Sequence, residues 1–299
     1  MLSSRTNNNA KETNQRNDTR KTFMWWNCLR NISIMNMLLW FWTYQLHNHS
    51  KLQHHTYAQL CLSAVYVFVC AYRSAYPRVD LERYCLFDSQ LSSIFLGRLA
   101  ATIAEICYSF QFALLLSQLE EIFEEKERIW LMKITSDLLV PMIVIAQLCC
   151  WRAVLTLDFR WHIIEESIWA IASSLVFSSF CSIIIDVSNQ VEGCRRDVKF
   201  IMITGSIISI IYFAFMVVVD IPMYCNKQKE DKTKKIHSNK RNRRNNNVWS
   251  RPKTTEAWEV WREEAPWLTC YFSFAVWISI GLIHISVLLQ KCLVQKDTL

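Results

Sequence analysis

The stretch FLGRLAATIAEICYSFQ, residues 95 to 111, sets an arginine and a carboxylate inside an otherwise apolar run. Arg98 and Glu105 are seven residues apart, two helical turns, so on a helix they share a face with Thr102 and Tyr108. A guanidinium suits bidentate recognition of a carboxylate or phosphate, and a carboxylate suits proton transfer or cation pairing. In hydrocarbon a lone charge costs at least about 2.5–3.5 kcal/mol, so each of these groups requires a partner. The segment WHIIEESIWA, residues 161 to 170, offers His162, Glu165 and Glu166, while Gln147 and Asp220 stand at matching depth on other segments. The reading sets Arg98 against Glu166 or Glu165, with Asp220 as substitute. It sets His162 against Glu166 at the i,i+4 spacing. Asp137, Gln111 and His284 are the neighbours expected for Glu105.

The candidate ligand-binding set is therefore Arg98, Glu105, Gln147, His162, Glu165 and Glu166. Within it Glu166, His162 and Glu105 are the candidates for acid or base catalysis. A structural ion-pair network that fixes helix register is the competing role for the same residues.

The elements that must hold these groups are apolar blocks of about 20 residues, the length that crosses a hydrocarbon core of roughly 30 Å. Six are clear: 57–72, 89–118, 130–151, 161–185, 200–224 and 266–290. A seventh, 23–46, carries Arg30 and three Asn and suits either a span or an interfacial helix. Charge decides between them. With seven spans, the segments on the side of the long 225–265 loop hold 22 Lys and Arg, against 8 on the other side. Basic loops stay in the cytoplasm. The expected fold is an all-α polytopic transmembrane helix bundle of seven spans, or six if 23–46 is interfacial. Its N-terminus is cytoplasmic and its C-terminus lies on the opposite side.

The expected organisation is a disordered polar and basic tail over 1–22, spans 1 to 6 over 23–224, a basic cytoplasmic loop over 225–265, and the last span with a short tail over 266–299. The first 21 residues lack the apolar run of a cleavable signal peptide, so the first span would direct insertion. Residues 226–247 read as a disordered basic loop that attracts anionic lipid. After it, a Trp-rich interfacial helix is expected to be capped at Thr254 or Thr255 and to stop before Pro266. YRSAYPRVDLERYCLFDS, residues 72 to 89, reads as a self-neutralising surface turn. The expected compartment is the endoplasmic reticulum or another endomembrane; the final KDTL is one substitution from a lumenal retrieval signal, readable only with a lumenal C-terminus, and chance resemblance is the stronger reading of it.

Most of the 12 Cys fall in apolar blocks and read as small buried hydrophobes. The loop HNHSKLQHH, residues 47 to 55, has the composition of a weak metal site but lacks a completing Cys or carboxylate, and Asn48-His49-Ser50 is a glycosylation sequon. Within the spans only His162 and His284 are found, so no metal centre is expected. Nucleotide-binding, hydrolase and metalloprotease motifs are absent, no nucleic-acid partner is expected, and the sequence names no cofactor. Three functions compete. The first is binding or processing of a lipid or other hydrophobic ligand near the inner leaflet. The second is small-solute or proton-coupled transport, with Glu105 as the carrier. The third is a structural subunit of a membrane complex, with membrane-protein partners. The 4 Gly in the whole chain weigh against the sliding helices of a transporter.

Overall fold

Apolar blocks without internal turn chemistry fold into helices, and here they do so almost without interruption. The structure, a computed structural model, describes residues 2–48, 54–123, 126–184, 192–237 and 252–297. The helices are α1 (Leu2–Asn48), α2 (His54–Ala75), α3 (Ile94–Ile122), α4 (Lys126–Thr156), α5 (Phe159–Ile184), α6 (Glu192–Phe215), α7 (Ile221–His237), α8 (Trp258–Cys270) and α9 (Val276–Asp297). A π-helical turn at Met216–Asp220 joins α6 to α7, and another at Tyr271–Ala275 joins α8 to α9. The described residues thus form seven rods. Six are long and apolar enough to cross a membrane: 54–75, 94–122, 130–156, 159–184, 196–233 and 258–294. The chain is an all-α, multi-pass membrane helix bundle.

The remaining rod, α1, is too polar to join those six, yet it lines the bundle from end to end. Thr22 Oγ1 donates to the Glu256 carbonyl at 2.8 Å, and Trp25 Nε1 to Thr269 Oγ1 at 3.1 Å. Further along, Asn36 Nδ2 donates to the Phe272 carbonyl at 2.8 Å, and Thr43 meets His284 at 3.2 Å. Partner numbers rise together, so α1 runs parallel to α8–α9. From Thr22 to His47 it advances about 37 Å at 1.5 Å per residue, a full bilayer depth. The Asn content that lowers its hydropathy is partly used: Asn36 is buried and binds the π turn, whereas Asn27, Asn31 and Arg30 face outward.

Neighbours in sequence are neighbours in space from α1 through α6. The last rod packs on α1, α2 and α3 and touches α6 only lightly. One core lies among α3, α4, α5, α6 and α9, with Leu116, Leu119, Ile143, Phe180 and Met202 fully enclosed. A second joins α1, α2 and the last rod through Leu29, Tyr66, Phe272 of its π turn and Val276 of α9. Outside runs an apolar belt that includes Phe68, Leu148, Ile171 and Val218. Leu96, Ile103 and Phe110 lie on that surface, opposite the polar stripe of α3.

Three short strands close one end. β1 (Arg78–Val79) pairs antiparallel with β2 (Tyr84–Cys85), and β3 (Lys253–Thr254) adds to β2 in parallel. Trp261, fully buried, donates from Nε1 to the Thr255 carbonyl at 3.0 Å and fixes this floor to α8.

Several local expectations differ. Helix begins at Leu2 instead of after a disordered tail, because the stretch to Asn48 contains no Gly or Pro and is continuous with a packed helix. Helix also continues past Asp220 and Pro222 to His237, so part of the expected basic loop is α7. The KRNRR cluster at 240–244 lies outside the described residues, as does His49 of the sequon. Pro266 does not end the Trp-rich helix. It sits within α8, which runs on through the π turn, and α8 starts after Ala257 with no side-chain cap. The 72–89 turn is no surface feature: Arg78 and Cys85 are buried beneath the bundle.

Candidate functional site

Arg98, one turn into α3, reaches along its own helix. Its Nη2 donates to Glu105 Oε1 at 3.2 Å and to Gln147 Oε1 at 2.5 Å. Gln147 Nε2 donates in turn to Glu105 Oε2 at 2.5 Å, closing a three-residue ring between α3 and α4. Thr102 Oγ1 donates to Gln147 Oε1 at 3.2 Å and accepts from Trp151 Nε1 at 3.0 Å. This corrects the expected cross-helix pairing of Arg98 with Glu165, Glu166 or Asp220. The two-turn spacing lets a long guanidinium fold onto a carboxylate of the same helix, and the neutral Gln147 bridges both.

The neighbours expected for Glu105 are engaged elsewhere or turned away. Gln111 donates to the carbonyls of Gln59 and Ser279, His284 meets Thr43 and His47, and Asp137 is exposed.

A second cluster belongs to the α4–α5 hairpin. Leu157 adopts a left-handed conformation (φ 53°) that ends α4, and the Asp158 carboxylate accepts from the Arg160 amide at 3.1 Å to start α5. So tight a turn brings the end of α4 against the beginning of α5. His162 Nδ1 lies 2.6 Å from Glu165 Oε2, with both side chains over nine-tenths buried. The expected His162–Glu166 contact is therefore corrected by one residue: the i,i+3 neighbour takes the imidazole. The ring stacks on Tyr224 of α7 at 4.9 Å between centroids, and Nε2 has no hydrogen-bond partner among the described residues. A Cys150 sulfur, a His162 ring nitrogen and a Glu165 carboxylate oxygen lie within 4.8 Å of one another, all three residues buried.

Both clusters border one cavity of about 680 Å³, lined by Arg98, Glu105, His162, Glu165 and Glu166 of the expected set. Gln147 supports the wall from behind. Glu166 has no ion-pair partner among the described residues. The floor comes from residues that the sequence reading left out of the site. Arg78 Nε donates to Asp80 Oδ1 at 2.9 Å and its Nη1 to the Ser93 carbonyl at 3.2 Å. Lys227 of α7 straps the floor to α8, 3.1 Å from Glu82 and 3.8 Å from Glu264. Burial alone would raise the Asp80 carboxyl, but the guanidinium groups of Arg78, Arg73 and Arg98 outweigh it and hold its pKa below the ordinary value.

The lining changes character with height. Along α3 it runs from Arg98 to Phe112, along α5 from His162 to Val176, and along α8–α9 from Glu264 to Ile278. Each interval is 14 residues, about 21 Å of helix rise, and each begins with an ionisable group and ends with an apolar one. The α6–α7 wall agrees, from Lys227 at the floor to Ile208 above. On the lightly joined side, Ile211 and Phe274 line the cavity and are also 62% and 59% exposed, so the cavity reaches the outer apolar surface there. Phe215 and Trp267 stack across that seam, with centroids 5.0 Å apart and planes 5° apart.

Sequence reasoning missed the floor because its charges lie in what reads as a loop, and missed Cys150 because a lone cysteine in an apolar block carries no signal of its own. No protein-family model, curated protein or solved structure matches the chain.

Proposed function

We propose that this multi-pass membrane protein binds an amphiphile, a lipid or another hydrophobic molecule with a polar head, inside the bundle. The head lies toward the Arg98–Glu105–Gln147 ring and the tail toward Val176, Ile208 and Ile278. The observation that carries this reading is the parallel change from ionisable to apolar lining along three walls of one cavity. Its volume of about 680 Å³ falls in the range of small-molecule sites, roughly 300–1,000 Å³. In this reading α1 is the seventh span and the floor faces the cytoplasm. That arrangement puts the Arg98–Glu105 pair in the inner half of the bilayer and leaves the basic 226–247 region for anionic lipid.

Transport driven by Glu105 protonation receives less support. Both carboxylate oxygens are held, one by Arg98 and one by Gln147, so the group lacks the freedom that a proton carrier needs.

Native mass spectrometry of the full chain released from detergent tests the proposal. The wild type should retain one amphiphile per chain. Ser173→Trp, which fills the apolar half of the cavity, should lose it while melting at a similar temperature. Equal retention by both proteins, or an empty wild type, refutes the reading and leaves a structural role in a membrane complex.

A further inference from the structure

We propose that Cys150, His162 and Glu165 form a site for one divalent transition ion of the zinc class, with its open coordination position toward the cavity. Thiolate sulfur, imidazole nitrogen and carboxylate oxygen are the three donor types that zinc takes, at about 2.3, 2.0–2.1 and 2.0–2.2 Å respectively. A tetrahedral ion with such bonds separates its ligand atoms by roughly 3.2–3.7 Å. The three donors, all within 4.8 Å of one another, already meet that requirement to within small side-chain rotations. Two come from one turn of α5 and the third from α4 across the two-residue hairpin, so rigid helices hold the set together.

Charge supplies an independent argument. Glu165 and Glu166 line the one cavity, and Asp220 is buried in the π turn that packs on α5. The guanidinium nearby, that of Arg98, is committed to Glu105 and Gln147. Among the described residues His162 is the basic side chain in contact with this group of carboxylates, through Nδ1, and its buried Nε2 has no hydrogen-bond partner there. A dication compensates buried carboxylates without adding a residue. Binding displaces the Cys150 thiol proton, which leaves to solvent, while the imidazole keeps one N–H on the ring nitrogen that does not hold the ion.

Three protein ligands with one vacant position is the pattern of a zinc site that works on a bound molecule; purely structural sites use four. His162 and Glu165 line the cavity while Cys150 is fully enclosed behind them, so the vacancy faces the cavity. An ion there polarises an oxygen of whatever occupies the charged end, or activates a water beside it. The inference goes beyond amphiphile binding and does not depend on it.

Metal content and cobalt spectroscopy of the full chain in detergent test the site. After dialysis against trace Zn²⁺, the wild type should hold one ion per chain by mass-spectrometric metal analysis. Loaded instead with Co²⁺, it should show a sulfur-to-cobalt charge-transfer band in the near ultraviolet. Cys150→Ser should lose that band, and Glu165→Gln should weaken Co²⁺ affinity by at least about tenfold. Should either variant fail to fold, the wild-type spectrum still decides. A metal-free wild type, a cobalt complex with no thiolate band, or a Cys150→Ser variant that keeps the band overturns the proposal. A loaded metal site in a chain that retains no amphiphile would uphold it and refute only the binding reading.

Discussion

At the scale of single residues, the floor of the cavity depends on one glycine and one carboxylate. A Cβ on Gly97 would overlap the Arg78 guanidinium, so the missing side chain is what lets Arg78 lie flat against α3. Asp80 then fixes it at 2.9 Å. Because the Asp80 pKa is held below its unfolded value of about 3.9, the ionised group favours the native state above that pH. The contribution disappears as pH falls through the lower, folded value. Asp80→Asn lacks it at every pH. Thermal melts in detergent from about pH 7 to about pH 3 should therefore show a steeper acid loss for the wild type than for Asp80→Asn, with the two curves converging at the acid end. Parallel curves would mean that Arg78 does not depend on this carboxylate.

Legibility at this scale was uneven. Arg98 and Glu105 stood out because charges are costly in apolar runs, and they do share a face. Which partner each takes depends on helix rotation and side-chain reach, which spacing alone does not fix. That is why Glu105 and Glu165, and not Glu166, proved to be the contacts.

At the scale of elements, apolar block length located six rods, since the bilayer imposes that length; four match to within about five residues at each end, and the last two outrun their blocks by seven to thirteen. The two π turns left no such trace. Pro222 follows one and Pro266 precedes the other, and Pro266 reads as a helix stop. A helix inside a bundle survives a proline when neighbours satisfy the freed backbone groups. Asn36 serves the π turn past Pro266, donating to the Phe272 carbonyl six residues on while its Oδ1 accepts from Trp277 Nε1 at 2.9 Å. The residue that makes 23–46 look unlike a span is the one that attaches it to the last rod. Asn36→Leu raises the hydropathy of α1 yet leaves the buried Phe272 carbonyl and the part-buried Trp277 indole N–H without this partner, at about 1–3 kcal/mol. Its melting temperature should fall despite the gain in apolar character. A rise instead would show that α1 is held by burial alone.

At the scale of the whole molecule, the order of helices explains why a cavity exists where it does. Sequential packing carries the chain around from α1 to α6, while the last rod is claimed by α1, α2 and α3. The gap this leaves beside α6 becomes the cavity, and its outer edge is the seam closed by Phe215 and Trp267. A stacked aromatic pair contributes about 0.5–1.5 kcal/mol beyond its buried area, enough to hold a seam shut and small enough to open thermally. Phe215 adjoins one π turn and Trp267 lies one helical turn before the other, at places where the wider π turn interrupts the regular α ladder. If the occupant comes from the bilayer, it passes between these rings, because the floor is strapped by Lys227, Glu82 and Glu264. Phe215→Ala should then speed exchange of a fluorescent phospholipid between vesicles and the reconstituted chain, by a few-fold to about tenfold. The amount bound at equilibrium should change little, since the charged end is untouched. Lys227→Gln, which loosens the floor, should leave the rate where it was. The opposite pattern, in which Lys227→Gln accelerates exchange and Phe215→Ala does not, would place the route through the floor and make the seam a structural contact.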